Sequence, residues 1–113
     1  MDRTSWGLLK DMERAHAGFS VAREGDTSVV AVTGELDVAS APQLDQTVRA
    51  ELAASERVVL DASGVTFIDS SALRVLIALA RDDGERLVLR QPSAAVDRLL
   101  KLTGLTDILA IET

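Results

Sequence analysis

The residues of this chain whose types and spacing can do chemistry collect at one place, Asp69-Ser70-Ser71. Two hydroxyls behind a carboxylate, just before a strongly helical run, can cap the unpaired amides of the helix start. They can also accept a transferred phosphoryl group. One capping side chain stabilises a helix by about 1 kcal/mol, so three adjacent candidates exceed that need. The other arrangements are thin. His16 is the only histidine. It falls in a weakly patterned N-terminal segment, where a hydrolytic triad would lack an anchored base, so it reads as a solvated surface residue. Asp82-Asp83 stand beside Gly84 and read as a solvated turn ending a helix rather than as a cation site. There is no Gly-rich phosphate loop ending in Lys-Ser or Lys-Thr, no dinucleotide fingerprint and no Gly-x-Ser-x-Gly elbow. No catalytic, cofactor-binding or metal-binding residue is assigned, and the chain does not read as an enzyme.

Composition narrows the partners. The 113 residues suffice for one ordinary domain. Twelve Lys and Arg against 18 Asp and Glu give a net charge of −6, which repels phosphate backbones. No basic cluster offsets this, and the aromatics are only Trp6, Phe19 and Phe67, so nucleic acid is set aside. The absence of Cys removes disulfides, thiolate metal sites and cysteine nucleophiles. No apolar run approaches the ~20 residues that span a bilayer, and the opening segment has neither a signal core nor a cleavage pattern. The expectation is a cytoplasmic protein that engages no membrane.

These residues need elements to hold them. Phe19 and Val21 alternate with Ser20 and Ala22, a turn follows at Glu24-Gly25-Asp26-Thr27, and residues 28–33 continue as a second strand, predicting a hairpin. Residues 34–39 read as a loop. Ser40 with Gln43 three residues on offers a capping box for a helix carrying Leu44, Val48 and Leu52. Residues 57–61 read as a strand buried on both faces. Residues 62–68 lead to the Asp69-Ser70-Ser71 junction, and the strongest helix follows, stopped at Asp82-Asp83-Gly84. A strand at 86–90, a helix opened by Ser93 and closed by Gly104, and a last short strand at 108–111 complete the order. Helices alternating with strands after one hairpin predict an α/β domain. Its mixed sheet starts with the N-terminal hairpin, continues with parallel strands, and packs against about three main helices. Residues 1–17 are an N-terminal extension, either flexible or a short helix, and residues 18–113 are the domain.

At ~100° per residue, Leu73, Leu76, Ile77 and Ala80 form the core-facing stripe of the strongest helix. Ala72, Val75 and Leu79 form a second apolar stripe, which either packs inside or is exposed as a docking surface. Ser70, Arg74 and Arg81 share the opposite flank. A phosphate on Ser70 would add about −1.5 to −2 charges beside Asp69. The N-terminal amides of the helix and Arg74, one turn along, would accommodate it while the fold persists.

At this point the residues resemble a known family. Gly34-Glu35-Leu36-Asp37, then a helix, then Val58-Val59-Leu60-Asp61-Ala62-Ser63-Gly64-Val65 and Phe67-Ile68-Asp69-Ser70-Ser71-Ala72-Leu73 look like the STAS domain of bacterial anti-sigma factor antagonists, over residues 19–111. The resemblance implies that Ser70, directly after the aspartate, is the phosphorylated serine. It implies that the unphosphorylated protein binds an anti-sigma factor that is also an ATP-dependent serine kinase, releasing a sigma factor. Phosphorylation then weakens the complex and a serine phosphatase restores it. ATP belongs to the partner, and the role needs only a monomer. Glu35 and Asp37 fall on the family's acidic contact loop, with Asp37 alternatively organising the turn. Asp69, Ser71, Ala72, Arg74, Val75 and Leu79 surround Ser70 as further partner-binding candidates. One departure is Ala72, where phosphorylated members carry Gly, and its methyl group would narrow the kinase's approach.

Two alternatives remain at this stage. Some relatives are unphosphorylated scaffolds or accessory subunits of signalling or transport complexes. A receiver-type aspartate phosphoacceptor is suggested by the strand-end Asp61, but it lacks a lysine at the end of a late strand, since Lys10 and Lys101 are the only lysines.

Overall fold

Val30, Leu60 and Leu89 stand side by side on three neighbouring strands, and they set the plan of the molecule. The computed structural model describes residues 17–112, so the expectation for the N-terminal extension lies, but for its last residue, outside the described residues. Strand β1 (Gly18–Glu24) pairs antiparallel with β2 (Thr27–Leu36). Helix α1 (Ala41–Ala54) leads to β3 (Arg57–Ile68), α2 (Ser70–Asp83) to β4 (Leu87–Arg90), and α3 (Ala94–Thr103) to β5 (Ala110–Glu112) by way of a 3-10 turn at Leu105–Asp107. The five strands lie in chain order, and β2 to β5 run parallel.

A right-handed crossover that always steps to the next strand in one direction must place every helix on the same side of the sheet. The core shows this. Val30, Val32, Val58, Leu60, Leu87 and Leu89 of the sheet share one cluster with Leu44, Val48 and Leu52 of α1, Leu76 and Leu79 of α2, and Val96 and Leu100 of α3. The alternate row, Val29, Val59 and Val88, points to the other face. Each fully buried Leu contributes about 1.5–3 kcal/mol, so the cluster fixes all three helices on one face.

The start of the segment that reads as a loop, and residues 62–68, which the sequence pattern assigns to no element, are both strand. β2 continues through Gly34-Glu35-Leu36, and β3 continues through residues 62–68, pairing Gly34 with Val65, Glu35 with Phe67 and Leu36 with Ile68. The sequence hid this because the register shifts twice between these strands, which breaks the two-residue alternation a strand reading relies on. Gly34, at one shift, has φ 84°, a left-handed backbone that glycine adopts without strain. A β-carbon on Gly64 would approach Thr33 Cγ2 to 2.7 Å, so the close packing of β2 on β3 also requires glycine there.

The capping box at α1 does not form. Ser40 makes no side-chain cap. Its buried hydroxyl accepts from the Asp37 amide at 2.9 Å and donates to the Glu35 carbonyl at 3.0 Å. At α3 the expectations hold: Ser93 Oγ accepts from the Val96 amide, and Gly104 is the left-handed C-cap whose amide donates to Leu100.

Helices α1 and α2 are tied at their C-terminal ends. Arg49 pairs with Asp82 at 3.0 Å, and Arg86 pairs with Asp83 at 3.1 Å while donating to the carbonyls of Leu52 and Ser55 at the end of α1. Asp82 and Asp83 are therefore arginine partners. The nearby Glu51 carboxylate is held below its usual range by hydrogen bonds from Ser28 and Arg23.

Candidate functional site

The C-terminal ends of β2 and β3 carry the turn 37–40 and the start of α2 at one end of the sheet. Asp69 joins these pieces. Its amide donates to the Leu36 carbonyl at 3.0 Å, fastening the helix start to the end of β2. Its Oδ1 accepts from the amides of Ser71 at 2.8 Å and Ala72 at 3.2 Å. The Leu73 amide donates to the Asp69 carbonyl at 3.0 Å as the first intrahelical bond. Asp69 is thus the N-cap, and the capping role weighed for all three residues falls on it alone.

That leaves two hydroxyls with different surroundings. Ser70 is exposed at the first position of the helix, and Ser71 is half-buried. The Ser70 side chain is in solvent, and its hydroxyl holds no other described residue.

The remaining candidates divide. Glu35 sits half-buried on β2 opposite Phe67. Asp37 organises the turn, its Oδ1 accepting from the amides of Ala39 and Ser40 at 3.0 and 3.1 Å. Arg74 is exposed on the Ser70 flank. Ala72 and Leu79 are corrected, since both are 0% exposed and belong to the core. The cause is α1. Asp82, on the same flank of α2 as Val75 and Leu79, is bound to Arg49 of α1, so the second apolar stripe faces a neighbouring helix and not solvent. Val75 is half-buried and packs against the same core. The methyl of Ala72 therefore points inward and does not narrow access to Ser70.

Two exposed apolar side chains at this end were missed as site residues. Val38 on the turn is 71% exposed and Phe67 near the end of β3 is 48% exposed. A signal existed for Phe67, one of three aromatics in the chain, but the sequence pattern assigns residues 62–68 to no element, which leaves its direction undefined. Asp61 accepts from the Ser63 amide and stands opposite Arg90, while Lys101 lies exposed on α3, paired to Asp97. The receiver arrangement of an aspartate beside a strand-end lysine is not built by these residues.

A mixed sheet in chain order, helices on one side, and a serine pair at the capped start of the second helix define an α/β domain with its candidate site at the C-terminal end of the parallel strands. The family model described as "Mlab, STAS domain" matches residues 19–110, and the chain belongs to the STAS-domain anti-sigma factor antagonist family. Among solved structures, an anti-sigma factor antagonist from Mycobacterium paratuberculosis is 30% identical, with 87% of this chain and 86% of that one covered and a TM-score of 0.78. An RsbS variant from Moorella thermoacetica is 26% identical, with 82% and 84% covered and a TM-score of 0.67. The anti-sigma factor antagonist SpoIIAA in its unphosphorylated form is 22% identical, with 85% and 89% covered and a TM-score of 0.69, a likeness of fold. No helix among the described residues is long and apolar enough to cross a membrane.

Proposed function

We propose that this protein is an anti-sigma factor antagonist whose unphosphorylated form binds an anti-sigma factor serine kinase and releases a sigma factor, and that phosphorylation of Ser70 ends the interaction. The observation that carries this reading is the division of labour at the helix start: Asp69 alone caps the amides, and Ser70 is left exposed. The binding face comprises Ser70, Ser71 and Arg74 of α2, Glu35 at the end of β2, and the exposed apolar Val38 and Phe67. Asp37 and Asp69 shape it. An apolar side chain ringed by polar ones supplies most of the affinity of such a face. Charge on Ser70 disrupts it, because a phosphate is costly to desolvate within a packed interface and adds bulk and negative charge beside Asp69.

In this reading ATP is bound by the kinase and the protein performs no catalysis. A serine phosphatase returns it to the binding form, and it acts as a monomer in the cytoplasm, with residues 18–113 as the functional domain. Incubation with ATP and host extract followed by phosphosite mapping tests the assignment. Phosphate on Ser70 is expected. Its absence, in an extract that phosphorylates a known kinase substrate, would reject the switch in favour of a constitutive scaffold.

A further inference from the structure

A phosphate on Ser70 has two possible receivers within the chain, the amides of the α2 N-terminus and the side chains along its exposed flank. The next three amides after Ser70 are taken. Ser71 and Ala72 donate to the Asp69 carboxylate, and Leu73 donates to the Asp69 carbonyl. A dianion arriving there would have to displace a carboxylate already in place, against its repulsion. The acidic groups at this end, Asp69, Glu35 and Asp37, all oppose a phosphate.

The flank is different. At ~100° per residue Ser70, Arg74 and Arg81 share a single flank. Arg74 and Arg81 are both exposed and, like Arg57 and Arg98 elsewhere on the surface, neither pairs with a described acid, whereas Arg23, Arg49, Arg86, Arg90 and Lys101 all do. Arg74 is four residues from Ser70, a spacing that brings Cβ atoms to about 5–6 Å. Arg81 lies eleven residues on, about 16 Å along the axis, beyond contact.

We infer that Arg74 is the internal receiver of the Ser70 phosphate, pairing with it across one helical turn. This deepens the proposed switch and rests on Ser70 being its site. The free guanidinium of Arg74 is then part of the basic stripe offered to an acid-bearing partner, and the phosphate withdraws it by pairing at home. Phosphorylation therefore acts twice, placing bulk and charge at Ser70 and cancelling a cation one turn away. Arg81 remains available in both states.

The experiment uses the full chain with phosphoserine installed at position 70 by genetic encoding, so it needs no kinase and its failure is separate from failure of the phosphorylation assignment. Phosphorus NMR titration reads the second ionisation of the phosphate, ordinarily near pH 6. Pairing with Arg74 favours the dianion, so Arg74→Gln is expected to raise that midpoint by roughly half a pH unit. Arg74→Lys should restore most of the shift, and Arg81→Gln should leave the midpoint where it was. An unchanged midpoint in Arg74→Gln overturns the inference. So does an equal rise in Arg81→Gln, which would mark a diffuse field and not a pair. Arg74 is exposed, and thermal melts of each variant confirm that the fold is retained.

Discussion

The amide of Asp69 is bonded to the carbonyl of Leu36 at 3.0 Å, so the helix that carries Ser70 starts against the end of a strand 33 positions earlier in the chain. The same residue caps the helix through its carboxylate. Asp69→Ala is expected to cost about 1 kcal/mol through the lost cap, read as a lower denaturation midpoint at unchanged slope. Asp69→Asn should recover most of the loss, because an amide oxygen also accepts from the two N–H groups.

Ser70→Ala is expected to melt with the parent protein and to accept no phosphate from the kinase. Ser70→Glu should weaken partner binding by more than 1.4 kcal/mol, a factor of about ten, by calorimetry against the purified anti-sigma factor. Equal affinities would reject the charge switch.

Ala72→Gly restores the family's residue at a position that is 0% exposed. The expected result is a stability loss of about 1 kcal/mol from helix propensity, with an unaltered rate of phosphorylation. A faster rate would show that the methyl does reach the kinase.

Leu79→Ala and Phe67→Ala separate core from surface. The first should cost about 2–5 kcal/mol of stability by leaving a cavity. The second should change the melting temperature little while weakening partner binding by more than 1 kcal/mol, as loss of an exposed aromatic anchor does.

Glu51 gives a pH dependence. Its folded-state pKa lies below the unfolded value, because Ser28 and Arg23 hydrogen-bond its charged form. That stabilisation is present above the ordinary carboxylate range and is lost as pH falls through the folded value. Glu51→Gln should therefore flatten the decline of the melting temperature below about pH 4.5, compared with the parent protein over the same range.

The order of strands and helices was legible because each helix shows its apolar spacing and each buried strand is a short apolar run between polar residues. Ser70 was legible for a local reason, its place between an aspartate and a helix. The errors were all tertiary. Periodicity shows that Ala72, Val75 and Leu79 share a side of α2, but not that α1 lies against it; that follows from Arg49 reaching Asp82. The strand character of residues 62–68 depends on pairing with β2 through shifted register, which no window within one segment contains. The capping box at Ser40 failed because Asp37 and the Glu35 carbonyl compete for its hydroxyl.

The tie between the C-terminal ends of α1 and α2 has a consequence for how the switch transmits. Arg49 and Arg86 hold Asp82 and Asp83 at one end and Asp69 is bonded to Leu36 at the other, so α2 is attached to its neighbours at both ends. A modification at its first residue is then not relayed as motion to a distant site. Under the proposed switch, the two forms would present one shape with two surfaces, and the difference in their binding free energy would arise where the partner touches. Exchange between partners would then be paced by complex dissociation and by the modifying enzymes, with no slow rearrangement of the antagonist between them.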